Sequence, residues 1–203
     1  MKKIAIIAVL SAIGSLANAT TINAPSSLIG SSVLVGENAY AWGIPISLGA
    51  GQSISSASIS FSGITLTGAN SSGTGYLYTD LLNSGTAGVT AYADGDAPGD
   101  YFLTKFTSAN LVSLGYQFFA SVGTTLSWTY NLNSTQLAAL NSFLADGIFS
   151  ITIDPDCHYT VGGLSFTYAT TTTNVPDVAA TIYLLGVVLL GVEVSRRKLA
   201  LAK

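Results

Sequence analysis

A short glycine-rich loop carries three carboxylates at close spacing. Asp94 and Asp96 flank Gly95, and Asp100 follows four residues later. Carboxylate oxygens are the hard ligands that Ca²⁺ prefers. The loop is not an EF-hand, because no glutamate closes it and its flanks lack helical periodicity. Asp and Gly are also favoured in solvated turns for backbone reasons, so an ordinary turn is the alternative interpretation.

A second group of reactive side chains lies in the run Asp154-Pro155-Asp156-Cys157-His158. Zinc usually takes three or four Cys and His ligands, and this chain has one of each. Neighbours on a strand point to opposite faces, so Cys157 and His158 would not meet as a catalytic pair. We expect a buried, reduced Cys157, and a disulfide between two chains is the alternative. We expect the turn to lie beside the first loop and to lend Asp154 or Asp156 to the same calcium. The complete predicted ligand set is Asp94, Asp96, Asp100, Asp154 and Asp156.

Other catalytic arrangements lack support in the sequence. No Gly-x-Ser-x-Gly elbow is present, and the single histidine leaves little for a Ser-His-Asp set. A glycosidase needs two carboxylates on either side of a sugar, and no pattern pairs them. We therefore predict that the protein is not an enzyme. Exposed tyrosines, Trp42 or Trp128 could stack on sugar rings, although core packing is the commoner use of aromatic side chains.

The elements that would position these residues are mainly strands. Gly, Ser and Asn recur about every eight to twelve residues, the spacing typical of a β-sandwich. We predict an all-β fold, a jelly-roll-like antiparallel sandwich over residues 20–169, followed by a Thr-rich linker at 170–174. The predicted strands are 33–35, 54–61 with its continuation through 64 and 66, 74–82, 116–122, 124–130, 148–153 and 164–168.

One short helix interrupts the predicted strands. Asn133 can cap its N-terminus, with Gln136 as the capping-box partner. Gly147 is a suitable C-terminal stop. Three leucines between them share one helical face, which predicts a helix that packs over one end of the sandwich. These leucines are Leu137, Leu140 and Leu144.

The charge distribution excludes one class of partner. Residues 20–175 contain eight acidic residues and one basic residue, Lys105, which gives this segment a net charge of −7. Binding to a phosphate backbone requires Lys or Arg. We therefore expect no nucleic-acid partner, whereas divalent cations and neutral sugars stay open.

The N-terminal segment has the layout of a secretory signal peptide. Lys2 and Lys3 precede an apolar run over residues 4–16, and Ala17 and Ala19 form a small-x-small cleavage site. We predict a signal peptide at 1–19 and a mature chain that begins at Thr20. An N-terminal membrane anchor is the alternative, but the run is short of the ~20 residues of a span.

The C-terminal segment, residues 175–203, has three parts in order. Val175, Pro176 and Asp177 come first, an apolar stretch covers 178–192, and a basic cluster begins with Arg196 and Arg197. By its physical properties this is a short C-terminal apolar helix that can insert in a membrane with a positive-inside tail.

This arrangement resembles the PEP-CTERM sorting signal of Gram-negative bacteria, in a Val-Pro-Asp variant. The resemblance covers about the last thirty residues. It implies a membrane-inserted intermediate, cleavage near the motif by an exosortase-type processing enzyme, and delivery to the cell surface or medium, often alongside exopolysaccharide. The chain departs from the commonest pattern at Asp177, where the family more often has Glu, in the lack of a second Pro, and in the residues beyond the basic cluster. A permanent tail anchor is the alternative.

Three functions follow as hypotheses. The first is a non-enzymatic surface or extracellular-matrix protein that is sorted through a removable membrane segment, with exopolysaccharide as a partner. The second is a carbohydrate-binding module with a calcium-braced loop. The third is a permanently tail-anchored membrane protein. An exposed aromatic platform would favour the binding module over the matrix role.

Overall fold

The computed structural model describes residues 19–29, 33–83, 85–95 and 99–172. Within them the chain forms ten strands and two helices. The first five strands are β1 (Ala19–Asn23), β2 (Val33–Leu34), β3 (Asn38–Pro45), β4 (Gln52–Gly68) and β5 (Gly75–Leu82). The other five are β6 (Gly88–Ala93), β7 (Leu111–Phe119), β8 (Thr125–Asn131), β9 (Ile148–Pro155) and β10 (His158–Thr172). The helices are α1 (Tyr101–Lys105) and α2 (Ser134–Phe143), and a 3₁₀ turn, Leu144–Asp146, follows α2.

The strands form two five-stranded sheets. Sheet A has the order β1-β10-β4-β8, with β2 also paired to β10, and sheet B has the order β6-β3-β9-β5-β7. The registers that define these pairings are antiparallel. The predicted all-β antiparallel sandwich is thus confirmed at the level of class and architecture.

One main core fills the space between the two sheets. Alternate residues of β4 and β9 face inward and are buried, as the period-two alternation of a half-buried strand requires. Trp42 is also part of this core. Inward-facing residues of both sheets include Ile59, Phe61 and Ile64 from sheet A and Phe149, Ile151 and Ile153 from sheet B.

The long strand β4 changes register where it passes β8, between Phe61 and Ile64. Gly63 has a φ of 59°, which an L side chain rarely adopts, and its N–H donates to Ser127 Oγ at 2.9 Å. A Cβ on Gly162 of the neighbouring β10 would lie 2.9 Å from the carbonyl oxygen of Ser62. The two glycines therefore permit β4 and β10 to approach closely at this bulge.

The predicted helix is confirmed as α2. The Asn133 side chain accepts from the Gln136 N–H at 3.0 Å, and the Gln136 side chain accepts from the Asn133 N–H at 2.9 Å, which is the predicted capping box. Gly147 ends the following 3₁₀ turn with a φ of 80°. Asn141 then fixes the helix to β4, because its side chain accepts from the Ile54 N–H at 2.8 Å and donates to the Ile54 carbonyl at 2.9 Å.

Several predicted boundaries were wrong. Strand β10 runs to Thr172, so three residues of the predicted linker at 170–174 are in a strand paired within sheet A. Strands β1, β3 and β6 and helix α1 were not predicted. The predicted N-terminal signal up to Asn18 and the sorting segment 175–203 lie outside the described residues; Ala19 is the first residue of β1. In the described part of the chain, no helix is long and apolar enough to cross a membrane.

Candidate functional site

The outer face of sheet B carries a second, smaller core. Helix α1 and the segment around it cover this face, and Phe102 is completely buried there. It packs with Ala39 and Ala41 of β3, which are small enough to let the helix approach. Leu82 and Leu111 complete the cluster from β5 and β7. The outer face of sheet B is therefore closed to solvent over part of its area.

Beneath this cover lies a row of buried polar side chains. Ser150, Thr152 and Asp154 alternate with the core residues of β9 and point outward, toward α1. The register sets Thr152 opposite Asp80 and Asp154 opposite Tyr78. Asp80 and Asp154 are both completely buried. Two carboxyl groups are thus placed by strand alternation on the covered face of one sheet.

Asp154 of β9 and Asp156 of the following turn hold the chain just before α1 and at its first residue. Asp154 Oδ2 accepts from the Tyr101 N–H at 2.6 Å, and Asp156 Oδ1 accepts from the Gly99 N–H at 3.4 Å. Asp100 caps the helix, since its Oδ1 accepts from the Phe102 N–H at 3.0 Å and from the Leu103 N–H at 3.2 Å. Carboxylates from β9, from the turn after it and from the cap itself therefore satisfy the free N–H groups at the start of α1.

Asp80 joins the same group from β5. Its backbone N–H donates to Thr152 Oγ1 at 2.9 Å, and that hydroxyl donates in turn to Asp80 Oδ2 at 2.8 Å. Burial and the charge of the neighbouring Asp100 carboxyl group both raise the pKa of Asp80.

The pKa values of the cluster are raised, primarily by burial. Burial, together with the neighbouring acids Asp94 and Asp100, raises the pKa of Asp154 to about 8 and that of Asp156 to about 6. Burial also raises the pKa values of Asp80 and Asp100. The cause is that water no longer solvates the charged form while the nearest ionisable groups are other acids.

The structure brings together most of the predicted calcium ligands. Asp94, Asp100, Asp154 and Asp156 interact electrostatically in one cluster, whereas Asp96 lies outside the described residues. In the ranges that the structure describes, no group of three or more His, Cys, Asp or Glu side chains is arranged to hold a metal ion. Calcium binding by a set that includes Asp96 stays a prediction.

Cys157 lies in the turn between β9 and β10, and His158 is the first residue of β10. Cys157 is buried, as predicted, and its Sγ donates to the Thr74 carbonyl at 3.5 Å. His158 is exposed and lies beside Gly68. Both residues line a shallow open pocket together with Glu37, Asn70 and Asp156.

An aromatic cluster, Tyr76, Tyr78, Tyr116 and Phe118, occupies the uncovered part of the same sheet face. The β5–β7 register sets Tyr76 opposite Phe118 and Tyr78 opposite Tyr116. The ring centroid of Tyr76 lies 5.2 Å from that of Phe118 and 5.4 Å from that of Tyr116. Tyr116 is 55 % exposed and Phe118 is 46 % exposed. Two half-buried rings thus support two exposed ones.

A bulge in β7 places this cluster beside the buried acids. Thr79 pairs with Gly115 but Asp80 pairs with Ser113, so β7 contains one extra residue, Leu114. Gly115 takes the bulge conformation with a φ of 101°. As a result Ser113 and Tyr116 both face outward although they are three residues apart. Tyr78 belongs to both groups, because burial and the charge of Asp156 raise its pKa to about 12.

The aromatic residues singled out from the sequence separate into two kinds. Trp42 is buried in the main core, and Trp128 stacks on Phe61 with ring centroids 4.6 Å apart, so neither tryptophan offers a sugar-stacking surface. The tyrosines of β5 do take part in the exposed cluster. Sequence reasoning missed Asp80 and Phe118; a charged residue inside the run Tyr-Leu-Tyr-Thr-Asp-Leu-Leu was the available signal for Asp80.

Comparison with known proteins finds no matching family model and no matching curated protein.

Proposed function

We propose that the described domain is a carbohydrate-binding β-sandwich that binds neutral glycans through the aromatic cluster on β5 and β7. The observation that carries this proposal is the exposure of Tyr116 and Phe118 side by side on the outer face of sheet B. Single exposed apolar residues need no explanation. Here the register of two strands assembles four rings on one surface, with two rings held half-buried as a base.

The chemistry of the cluster suits a sugar. A pyranose ring presents C–H groups on its faces and hydroxyl groups around its edge. Aromatic faces carry partial negative charge that attracts the C–H groups, and tyrosine hydroxyls can bond the sugar edge. Tyrosine and phenylalanine also lose little conformational entropy on binding, since each has only two side-chain torsions. Two exposed rings on one strand would contact neighbouring sugar units of a chain.

The charges around the cluster favour a neutral ligand. The ionisable groups that act on Tyr78 are the acids Asp156, Asp100 and Asp154, together with Tyr76. The single base of residues 20–175, Lys105, lies over the Tyr101 ring at 5.6 Å. A uronate-rich or phosphorylated polymer would meet repulsion at this edge of the sheet, whereas an uncharged polymer would not.

The decisive experiment measures retention of the domain on insoluble polysaccharides. The wild-type domain should bind at least one neutral glucan, chitin or mannan, and should not bind polygalacturonate. The double variant Tyr116→Ala, Phe118→Ala should bind at least about tenfold more weakly, a loss of about 1.4 kcal/mol. Val122→Ala is the matched control, because Val122 is 54 % exposed but lies in the β7–β8 turn.

Two results would overturn the proposal. One is equal retention of the wild type and the double variant. The other is the absence of binding to every neutral polysaccharide in the panel, which would favour a surface or extracellular-matrix role instead. The stability of the double variant, measured in parallel, separates lost binding from lost folding.

Calcium bracing of the loop enters this proposal as a testable addition. The carboxylates of Asp154 and Asp156 already hold the chain at Tyr101 and Gly99 by direct hydrogen bonds. A bound Ca²⁺ would neutralise the same acids and stabilise the folded state by mass action. A melting temperature that rises with added Ca²⁺ and falls with a chelator would support the metal; identical melting curves would remove it.

We also propose that the protein is exported and sorted to the surface through its C-terminal segment. The support is the signal-peptide pattern at 1–19 and the Val175-Pro176-Asp177 motif, which is followed by an apolar stretch and a basic cluster. The partners would be an exosortase-type enzyme and exopolysaccharide. We further propose that the strand order of the sandwich is jelly-roll-like. Intact mass from the native host should match a start at Thr20 and a loss near Val175. A complete tail in the membrane fraction would instead make the protein permanently tail-anchored.

A further inference from the structure

Sheet A ends at β8, which pairs with β4 on one side and with no other strand in the described part of the chain. An edge strand presents a row of unpaired N–H and C=O groups, which is a template for pairing with a further strand. Proteins commonly protect such edges with Lys, Pro, a bulge or a very short strand. Strand β8 has seven residues, Thr-Leu-Ser-Trp-Thr-Tyr-Asn, and contains no charge, no Pro and no Gly. Its edge therefore lacks the usual protection.

The backbone of β8 is also regular. The register shift between β4 and β8 is taken up by β4, which has two residues between Phe61 and Ile64 where β8 has one. Exposed and half-buried residues alternate along all of β8 without interruption. The edge strand β7 of sheet B differs, because the bulge at Gly115 interrupts it. Of these two edges, β8 is thus the one suited to accept another strand.

The inward-facing side chains of β8 are only partly covered. Leu126, Trp128 and Tyr130 pack against the main core but stay half-buried. By contrast, Ile59 and Ile64 of the neighbouring strand β4 are completely buried. The difference arises because no strand of the described chain lies beyond β8. A strand added at this edge would remove more of this apolar surface from water, which is favourable.

The sequence of β8 is complementary to itself in an antiparallel pairing. A two-fold axis at Trp128 would set Ser127 opposite Thr129 of a second copy, and Leu126 opposite Tyr130 of that copy. Both pairs then lie on matching faces, because residues directly opposite each other point to the same side of a sheet. Hydroxyl groups would meet hydroxyl groups on the outer face, and apolar side chains would meet on the inner face.

The outer face of sheet A already contains this kind of hydroxyl pair. Thr65 bonds Thr125 at 2.7 Å and Ser60 bonds Thr129 at 3.0 Å, both between β4 and β8. A hydroxyl group has one proton and two lone pairs, so Thr129 can bond a second neighbour as well. The ladder of hydroxyl pairs would therefore continue across the two-fold axis.

The charge pattern favours a second copy as the partner. A two-fold contact sets each group near its own copy, so that a charged edge would repel itself. Residues 20–175 have a net charge of −7, yet β8 and its neighbour β4 contain no charged residue. The uncharged part of an acidic chain is where two copies can approach without repulsion.

We propose that two copies of this chain associate through β8, antiparallel about a two-fold axis at Trp128, and so join their A sheets into one continuous sheet. Main-chain hydrogen bonds provide the affinity, and the alternation of hydroxyl and apolar side chains fixes the register. One strand pair forms an interface below the about 1,200 Å² of a stable complex, so the dimer is reversible, with a Kd between about 1 μM and 1 mM. This inference goes beyond the proposed glycan site, because β8 contributes no ring to the aromatic cluster.

Sedimentation velocity of the full chain, in mild detergent because of its apolar C-terminal segment, tests the dimer from about 1 μM to about 1 mM. The wild type should change from one chain to two over this range. Thr129→Lys should raise the Kd by at least about tenfold, because it brings two ammonium groups close to the two-fold axis. Thr167→Lys is the matched control, and its Kd should stay at the wild-type value. It adds the same charge to the same face and removes an equivalent hydroxyl pair, with Thr21, but it lies on β10, which β4 separates from β8.

Amide hydrogen exchange of the wild type locates the contact without a variant. Protection of the β8 amides that face the free edge should rise with protein concentration, whereas protection of β9 in the core should stay constant. Thermal melting of both lysine variants verifies that each is folded. The proposal is overturned if the wild type stays a single chain at every concentration, or if both lysine variants dimerise like the wild type. It is also overturned if every β8 amide is already protected in the single chain, because another segment of that chain would then occupy the edge.

Discussion

The outer faces of the two sheets differ sharply in chemistry. The strands β1, β4, β8 and β10 of sheet A contain no Asp, Glu, Lys or Arg. Hydroxyl groups on this face bond one another across strands, as in Thr65–Thr125 at 2.7 Å, Thr21–Thr167 at 2.9 Å and Ser60–Thr129 at 3.0 Å. The outer face of sheet B instead carries a helix, a buried acidic cluster and four aromatic rings. One face satisfies its polar groups within itself and with water, whereas the other combines buried acids that have raised pKa values with exposed aromatic rings.

The largest effect on stability is expected beneath the cover on sheet B. Phe102→Ala should lower the free energy of unfolding by about 3 kcal/mol, because it removes a completely buried ring and leaves a cavity. Leu103→Ala, one residue along α1 but exposed, should change it by less than about 0.5 kcal/mol. Urea denaturation of both variants measures the difference. Equal effects would mean that the cover does not form a cooperative part of the fold.

The pH dependence of stability should come from the same face. The free energy of unfolding of the wild type should fall by at least about 1 kcal/mol from pH 5 to pH 9, since the raised pKa values of Asp154 and its neighbours favour the protonated folded state. Asp154→Asn should flatten this profile, because the amide does not titrate. The variant should still fold, since the amide oxygen can accept from the Tyr101 N–H. Denaturation curves at several pH values give the comparison. A profile that is flat in the wild type, or unchanged in the variant, would contradict the assignment.

Removal of the exposed rings should separate binding from stability. Tyr116→Ala with Phe118→Ala should lower the free energy of unfolding by no more than about 1 kcal/mol, because both side chains are about half exposed and form only surface ring contacts. The same variant should lose glycan retention. A large loss of stability would show that the cluster is a structural part of the sandwich edge rather than a binding surface.

The smallest effect is expected on sheet A. Thr129→Val removes one hydroxyl of an exposed cross-strand pair with Ser60 while the shape of the side chain is kept. The free energy of unfolding should change by less than about 0.5 kcal/mol, because water replaces the lost bond. Glycan retention should stay at the wild-type level. Weaker retention in this variant would move the binding surface from sheet B to sheet A.

The predictable parts of this molecule are those governed by local rules. Strands β4, β5, β8 and β9 follow from alternation of apolar and polar residues, and α2 follows from the Asn133 cap and the Gly147 stop. The expectation that the Asp154–Asp156 turn lies near the Asp94–Asp100 loop is confirmed, because Asp156 bonds Gly99 and Asp154 bonds Tyr101.

The remaining parts depend on contacts between distant segments. Helix α1 has only five residues and is stabilised by acids from β9, so its own sequence gives little signal. Asp80 acquires its role from the pairing of β5 with β9 and from the cap of α1, and the aromatic cluster depends on the register between β5 and β7. Register and strand order are set by the whole sandwich, which single-sequence patterns do not determine.

Chemical-shift mapping of a bound neutral oligosaccharide tests the central claim most directly, because it reports on both faces in one experiment. The oligosaccharide is taken from whichever polysaccharide retains the wild-type domain. The account predicts that the shifted amides lie on β5 and β7 around Tyr76, Tyr116 and Phe118. Shifts confined to β4, β8 and β10 on the hydroxyl-bearing face of sheet A would contradict it.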